Sequence, residues 1–202
     1  MLKSLPYPRW RGALPGGSRE RRWLPAAGLL PLLLLLAGLL SLWGCESKKS
    51  LMTGDPAPDF SAPEVAEKTF TLSQQRGKVV VLYFWRASCC SDHLKLVEPL
   101  YRTYRNSKVE VVAINAGDPV EKVAAFAQGA GLSFPIVTDQ QLEIFNRYHV
   151  LGFPTVFIID QQGTIRNKIL GEVSNQALEK LIRRRLEIQQ KADEAYRKAH
   201  GR

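Results

Sequence analysis

Two adjacent cysteines, Cys89 and Cys90, are the residues of this 202-residue chain best suited to chemistry, and Asp92 and His93 follow them closely. The chain has one other cysteine, Cys45. A thiolate is both a nucleophile and a ligand for soft metals. The pair can therefore serve as a redox device or as a pair of metal ligands. Two cysteines do not make the disulfide framework of a small secreted domain.

A disulfide between sequence neighbours faces a geometric obstacle. Adjacent Cα atoms lie about 3.8 Å apart across a trans peptide, whereas disulfides prefer about 4.4–6.8 Å. A bridge between Cys89 and Cys90 is predicted to be strained, easily reduced and disruptive to a first helical turn. It is an alternative and not the default expectation.

A strand and a helix must position these cysteines. Val79–Trp85 is a continuous apolar run of strand length, typical of a strand buried on both faces. Residues 91–106 have helical spacing of apolar side chains. Cys89 is thus expected at a helix N-terminus, where free amides and the helix dipole lower the pKa of a thiol. Asp92 and His93 are candidates for proton handling or for capping that helix.

The rest of the chain alternates strands and helices and has no internal repeat. This order predicts an α/β sandwich with a mixed sheet. The further predicted strands are 109–114, 134–137, 155–159 and 164–170. The further predicted helices are 119–128, opened by Asp118 as cap and Pro119, then 140–148 and 175–188.

The first 44 residues are predicted to be a targeting leader. A basic stretch precedes the apolar run 24–43, and Gly44-Cys45 follows, which is typical of a secretory signal. The end of this run resembles a bacterial lipoprotein box, with Cys45 as the lipidated residue. The alternative is an uncleaved membrane anchor, because the run is long enough to span a bilayer. In both cases the domain lies outside the cytoplasm, in the bacterial cell envelope on the periplasmic side.

The net charge of +9 is confined to the two ends of the chain. Residues 1–44 carry +5 and residues 183–202 carry +4, so the residues between them are balanced. This distribution argues against nucleic acid as a partner. The predicted organisation is a leader over 1–44, a tether over 45–55, a domain over 56–186 and a basic helical tail over 187–202. The tail is either solvated or in contact with anionic lipid headgroups.

Five segments, in order, resemble TlpA/ResA-type thioredoxin-like proteins, and the resemblance covers about residues 54–186. The segments are 54–60, 72–85, 109–115, 134–139 and 148–163. The last one is the most specific and contains Gly152-Phe153-Pro154-Thr155. The resemblance implies a thioredoxin-like three-layer sandwich, with a central mixed sheet flanked by helices.

The resemblance also implies a function. It implies a membrane-tethered thiol–disulfide oxidoreductase that acts on the thiols and disulfides of exported proteins, needs no cofactor and is a monomer. In this fold the proline that matches Pro154 is cis and lies against the reactive cysteine, which leaves the backbone of Phe153 free to pair with an extended substrate. Trp85, Phe153 and Pro154 are therefore expected to bind substrate, and Cys89 and Cys90 to be catalytic.

The motif departs from the family's Trp-Cys-x-x-Cys. Counted forward from Trp85, Cys89 is the nucleophile and Asp92 replaces the resolving cysteine. If the motif is aligned backward from residues 100–104, the two residues between the cysteines are missing. In that alignment Cys89 and Cys90 correspond to the two cysteines of the motif. The buried acid usual in such enzymes is also missing. Tyr83 stands at its strand position, and Lys95 or His93 at its helix position.

Three other functions remain open from the residues alone. The first is a binding module that keeps the scaffold without catalysis. The second is copper handling, in which Cys89, Cys90 and His93 would be the ligands, with His149 as the distant histidine that Sco-type proteins use. The third is a peroxidase, suggested by Ala87-Ser88-Cys89. Otherwise no metal site is expected.

Overall fold

The computed structural model describes residues 50–201, which form a five-stranded mixed sheet, a short two-stranded sheet and four α-helices. The strands are β1 Ser61–Pro63, β2 Thr69–Thr71, β3 Val79–Trp85, β4 Val109–Ala116, β5 Ile136–Asp139, β6 Thr155–Ile159 and β7 Ile165–Leu170. The helices are α1 Ser91–Tyr104, α2 Val120–Gly129, α3 Glu143–Arg147 and α4 Asn175–His200.

The main sheet has the order β5-β4-β3-β6-β7. Strand β3 pairs in parallel with β4 and antiparallel with β6, and β4 pairs in parallel with β5. The parallel strands β3 and β4 therefore end at the same edge of the sheet, where Trp85 lies opposite Asn115. The segments that follow both strands meet at this edge.

Strand β3 is the centre of the core, since all seven of its residues are buried. Successive side chains of a strand point to opposite faces. Tyr83 and Trp85 therefore join one apolar cluster, with Leu94 of α1 and Ile182 of α4. Phe84 joins the second cluster on the other face. Helices cover both faces, so the predicted three-layer α/β sandwich is confirmed.

Several predicted boundaries differ from those in the structure. Helix α2 begins at Val120 with Pro119 as its N-cap residue and no side-chain cap, so the predicted cap by Asp118 is wrong. The Asp118 carboxylate instead accepts a hydrogen bond from a backbone amide of another loop. Helix α3 is shorter than predicted and starts after Leu142, which adopts a φ of 60°.

The predicted domain boundaries at residues 56 and 186 also do not coincide with breaks in the structure. Gly54 N–H donates to the Ile165 carbonyl, and Ile165 N–H donates to the Asp55 carbonyl. The end of the predicted tether is thus already paired with β7. Helix α4 continues unbroken through residues 187–200 as the predicted helical tail.

The predicted leader and Cys45 lie outside the described residues. Within residues 50–201, no helix is long and apolar enough to cross a bilayer.

Candidate active site

The two cysteines lie in the turn that joins β3 to α1. The N–H groups of Cys89 and Cys90 both donate to the carbonyl of Arg86, at 3.4 and 3.2 Å. Cys90 is the N-cap residue of α1, and its carbonyl accepts the N–H of Leu94 at 3.1 Å. The predicted position of Cys89 at a helix N-terminus is therefore confirmed.

The cysteines differ in exposure and are joined by a disulfide. Cys90 is 1% exposed and belongs to the apolar cluster beneath α1, whereas Cys89 is exposed. Their Cα atoms are 3.8 Å apart and their sulfurs are bonded. The structure thus contains the disulfide between sequence neighbours, which the residue spacing had made only an alternative expectation. Helix α1 still begins regularly at Ser91. A molecule approaching from solvent meets Cys89, and Cys90 lies behind it.

Asp92 does not cap α1. Its Oδ1 accepts from Lys95 Nζ at 2.9 Å, and its side chain is 87% exposed. The hydrogen bond and positive charge of Lys95 lower the pKa of Asp92, so this carboxyl is a solvated anion at neutral pH. Asp92 therefore points away from the buried side of the turn, where Cys90 lies.

The cysteine turn is anchored to the end of β4 by a network that the sequence did not reveal. Ala87 N–H donates to Asp118 Oδ2 at 2.8 Å, and Asn115 Nδ2 donates to the same oxygen at 2.9 Å. Arg86 Nε donates to the Ala116 carbonyl at 2.8 Å. Burial by itself would raise the pKa of Asp118. The hydrogen bonds that the carboxylate accepts from Ala87, Asn115 and Lys122 have the larger combined effect, so the pKa lies below its ordinary value.

Asp118→Ala is expected to reduce the free energy of unfolding at pH 7 by about 1–3 kcal/mol, because the Ala87 and Asn115 donors lose their acceptor. The stabilisation needs the charged carboxylate, whose pKa is lowered by folding. It is therefore present above the ordinary aspartate pKa of about 3.9 and is lost as the pH falls through the lower folded value. Urea unfolding between pH 2 and pH 7 measures both effects.

The control for this network is Asp92→Ala, which removes an exposed carboxylate from the same region and should shift the unfolding curve far less than Asp118→Ala. In Asp118→Ala the acid dependence of stability should be shallower than in the wild type. A variant as stable as the wild type at pH 7 would show that the network does not hold the turn.

The Phe153–Pro154 turn lies beside the cysteine turn. The Phe153–Pro154 peptide bond is cis, as predicted. The guanidinium of Arg86 lies 5.8 Å from the centroid of the half-buried Phe153 ring, which links the two turns. The Pro154 carbonyl accepts from Gly171 N–H at 2.8 Å. Among the described residues, no group forms a hydrogen bond with the N–H or the carbonyl of Phe153.

Trp85 has a different role from the predicted one. Its side chain is 0% exposed and packs on Phe126, with ring centroids 5.1 Å apart. Its indole Nε1 is buried and has no hydrogen-bond partner among the described residues. Trp85 is thus a core residue and cannot contact a bound substrate. Pro154 is buried as well, so Phe153 is the accessible member of the predicted substrate-binding set.

His93 forms a contact that sequence spacing did not predict. Its Nε2 lies 2.6 Å from Oε1 of Glu172, in the segment that follows β7. Within residues 50–201 no three histidine, cysteine or acidic side chains converge as metal ligands. His93 faces Glu172, and the two sulfurs bond each other.

Comparisons with known proteins agree with this fold. Residues 53–168 match the model of the AhpC/TSA family. Thiol-disulfide oxidoreductase ResA of Geobacillus kaustophilus is 36% identical over 135 residues, which cover 66% of this chain and 78% of the relative. Thioredoxin-like protein YneN of Bacillus subtilis is 32% identical over 169 residues, covering 80% and 97% of the two chains.

A solved structure from Chlorobium tepidum, provisionally named thiol:disulfide interchange protein DsbE, is similar throughout its length. It matches with a TM-score of 0.63 and 30% identity, covering 68% of this chain and 99% of that one. The thioredoxin-like fold expected from the sequence is therefore confirmed.

Proposed function

This chain belongs to the AhpC/TSA family, and from that premise we propose that it is a thiol–disulfide oxidoreductase acting on exported proteins through Cys89 and Cys90. The observation that carries the proposal is the exposed Cys89 sulfur, bonded to the buried Cys90 sulfur at the N-terminus of α1. The similarity to oxidoreductases such as ResA supports the reaction type.

The exchange follows from which sulfur is accessible. A substrate thiolate attacks Cys89 Sγ, the Cys89–Cys90 bond breaks, and Cys90 leaves as a thiolate. A second substrate thiolate then attacks the substrate sulfur of the mixed disulfide and expels the Cys89 thiolate. The two substrate thiolates have become a disulfide by losing two electrons, the cysteine pair has gained these electrons, and the two cysteine thiolates take up protons from solvent. The same steps in reverse reduce a substrate disulfide.

The N-terminus of α1 favours this chemistry. Cys90 is the N-cap residue, so its sulfur departs next to the unpaired amides of the first helical turn. The positive end of the helix dipole stabilises a thiolate there and makes it a better leaving group. The carboxylate of Asp92, which would oppose this effect, is engaged by Lys95 and points into solvent.

Exposed apolar side chains around the Phe153 turn support a protein substrate. Leu151, two residues before Phe153, is 77% exposed, and Leu170, which pairs with Thr155, is 61% exposed. Two exposed leucines beside the Phe153 turn are suited to contact apolar side chains of a protein partner. An extended substrate chain could form backbone hydrogen bonds with the free N–H and carbonyl of Phe153 and place apolar side chains on the two leucines.

The proposed location rests on the leader. A lipidated Cys45 or an uncleaved anchor over residues 24–43 would hold the domain on the membrane, outside the cytoplasm, where protein disulfides form and persist.

The function is tested by counting thiols in the full chain, carrying Cys45→Ala to remove the third cysteine, across a glutathione redox series. Alkylation and mass spectrometry should show that both cysteines disappear together, reversibly and without added mass. Uptake of one glutathione with one free thiol would point to single-cysteine chemistry at Cys89. Two thiols that stay free and unreactive throughout would contradict the proposal and favour a binding module.

Leu151→Ser combined with Leu170→Ser is expected to raise KM for an oxidised peptide substrate by roughly 10- to 30-fold, with kcat unchanged. Covering each leucine contributes about 1 kcal/mol of binding free energy. Met52→Ser combined with Ile188→Ser is the matched control, because these side chains are also exposed. Ile188 lies beside Val79, at the opposite end of β3 from the cysteine turn, and Met52 precedes the segment that pairs with Ile165 at the start of β7. Equal KM values for the two double variants would remove the leucines from the substrate-binding surface.

A further inference from the structure

One cation beside the cysteines has no part in the exchange described above. Arg86 directly follows the buried strand β3, and yet it is exposed. Its backbone carbonyl accepts the N–H groups of Cys89 and Cys90, and the Cys89 sulfur lies 3.7 Å from the same oxygen. Arg86 therefore belongs to the same turn as the disulfide.

The guanidinium of Arg86 is held between two loops. Its Nε donates to the Ala116 carbonyl at 2.8 Å, and its central carbon lies 5.8 Å from the centroid of the Phe153 ring. Gly117 leaves room for it, because a Cβ at this position would lie 2.9 Å from Arg86 Nη2. A side chain that is already ordered loses less conformational entropy when it binds a ligand.

The charge of this guanidinium is not neutralised by the protein. Within residues 50–201, no carboxylate forms an ion pair with Arg86, and its Nη1 and Nη2 donate no hydrogen bond. The Asp118 carboxylate accepts hydrogen bonds from other residues, and Asp92 is paired with Lys95. The N–H groups on Nη1 and Nη2 are therefore available to a ligand.

A bound substrate must pass close to this cation. In the proposed exchange, the substrate sulfur bonds to Cys89 and the substrate backbone pairs with Phe153. Arg86 adjoins both positions, through its backbone carbonyl and through its guanidinium. An extended chain advances about 3.3 Å per residue, so two residues span about 7 Å. A substrate side chain within two positions of the reacting cysteine can therefore reach the guanidinium.

We propose that Arg86 selects substrates that carry a carboxylate within two residues of the reacting cysteine. The proposal rests on the thiol–disulfide exchange proposed above and names its substrate class, which is an acidic segment of an exported protein. The planar guanidinium matches a carboxylate in a paired hydrogen bond, and such charged hydrogen bonds are stronger than neutral ones. Arg86 is a binding residue in this reaction and takes no part in breaking the disulfide.

The test uses the full chain carrying Cys45→Ala and a set of oxidised peptides. The peptides differ only in having Glu, Gln or Lys at one position, which is moved in turn over the two positions on each side of the cysteine. The rate of peptide reduction gives kcat and KM for each peptide at low and at high ionic strength. The variants are Arg86→Gln and Arg86→Glu. The matched control is Lys191→Gln, which removes the same charge from an exposed position of α4.

At one or more of these positions, the wild type should prefer Glu to Gln by roughly 3- to 10-fold in kcat/KM, as expected of a partly exposed charged pair. Lys should be the poorest residue there. The preference should lie in KM and should shrink at high ionic strength, because salt screens exposed charges. Arg86→Gln should lose the preference for Glu over Gln, and Arg86→Glu should prefer Lys. Lys191→Gln should keep the wild-type preference.

Two results would overturn the proposal while leaving the exchange reaction intact. One is a wild type that reduces the Glu, Gln and Lys peptides with equal kcat/KM at every position, a result that requires no variant to fold. The other is a preference for Glu that Arg86→Gln retains, which would place the selecting charge elsewhere. A wild type that reduces none of the peptides would overturn both this proposal and the proposed function.

Discussion

Cys89→Ser is expected to abolish thiol–disulfide exchange, reducing the rate to that of the uncatalysed reaction. The exposed Cys89 sulfur is the atom that a substrate can reach, and a serine hydroxyl neither forms nor opens a disulfide. Cys90→Ser is expected to behave differently, because Cys89 can still bond a substrate sulfur while no buried thiol is left to release it. The mixed disulfide should accumulate.

Turnover of an oxidised peptide and intact-protein mass spectrometry separate the two variants. Cys89→Ser should show no added mass, and Cys90→Ser should carry one peptide. Ser88→Ala is the control, since Ser88 is an exposed neighbour in the same turn that has no part in the exchange. Peptide attached to Cys90 in the Cys89→Ser chain would show that the buried sulfur is the one that substrates reach, contrary to the exposures seen here.

Trp85→Ala is expected to lower the free energy of unfolding by about 3–5 kcal/mol, the usual cost of removing a large buried aromatic side chain. The Trp85 side chain is 0% exposed and packs on Phe126. Trp85→Phe should lower the free energy of unfolding much less. It keeps an aromatic ring in the core and removes an indole N–H that has no partner among the described residues.

Urea unfolding measures these effects, and KM for a peptide substrate is measured under conditions in which each variant is folded. Leu151→Ala is the control, because a highly exposed side chain should change stability by no more than about 0.5 kcal/mol. An unaltered unfolding curve for Trp85→Ala, together with a raised KM, would restore Trp85 to the substrate-binding surface.

The structure changes how the altered motif is understood. The sequence allowed Asp92 to stand in place of a second cysteine, but its carboxylate is in solvent and paired with Lys95. Cys90 is instead the buried sulfur behind an exposed one. In the proposed exchange, the exposed sulfur meets the substrate and the buried sulfur leaves.

The central elements of the fold could be read from local residue patterns. Val79–Trp85 is so uniformly apolar that only a strand buried on both faces accommodates it. The strands predicted over 155–159 and 164–170 are also present, within one residue at each end, and the cis peptide at Pro154 is the one that the family resemblance implied. The ends of α2 and α3 were predicted less well. The Asp118 carboxylate does not cap α2, because it accepts hydrogen bonds from Asn115 and from the amide of Ala87, which is distant in sequence.

By itself, the sequence determined the α/β fold class and the placement of Cys89 and Cys90 at the start of a helix. These features depend on burial periodicity, which is a local property of the chain. The cis-proline turn was implied by the resemblance to thioredoxin-like proteins. Only the tertiary structure decided which cysteine is exposed, that Trp85 belongs to the core, and that Glu172 faces His93. Those outcomes depend on which segments meet at the carboxyl edge of the sheet. Since Glu172 lies 79 positions after His93, no local pattern of residues encodes their contact.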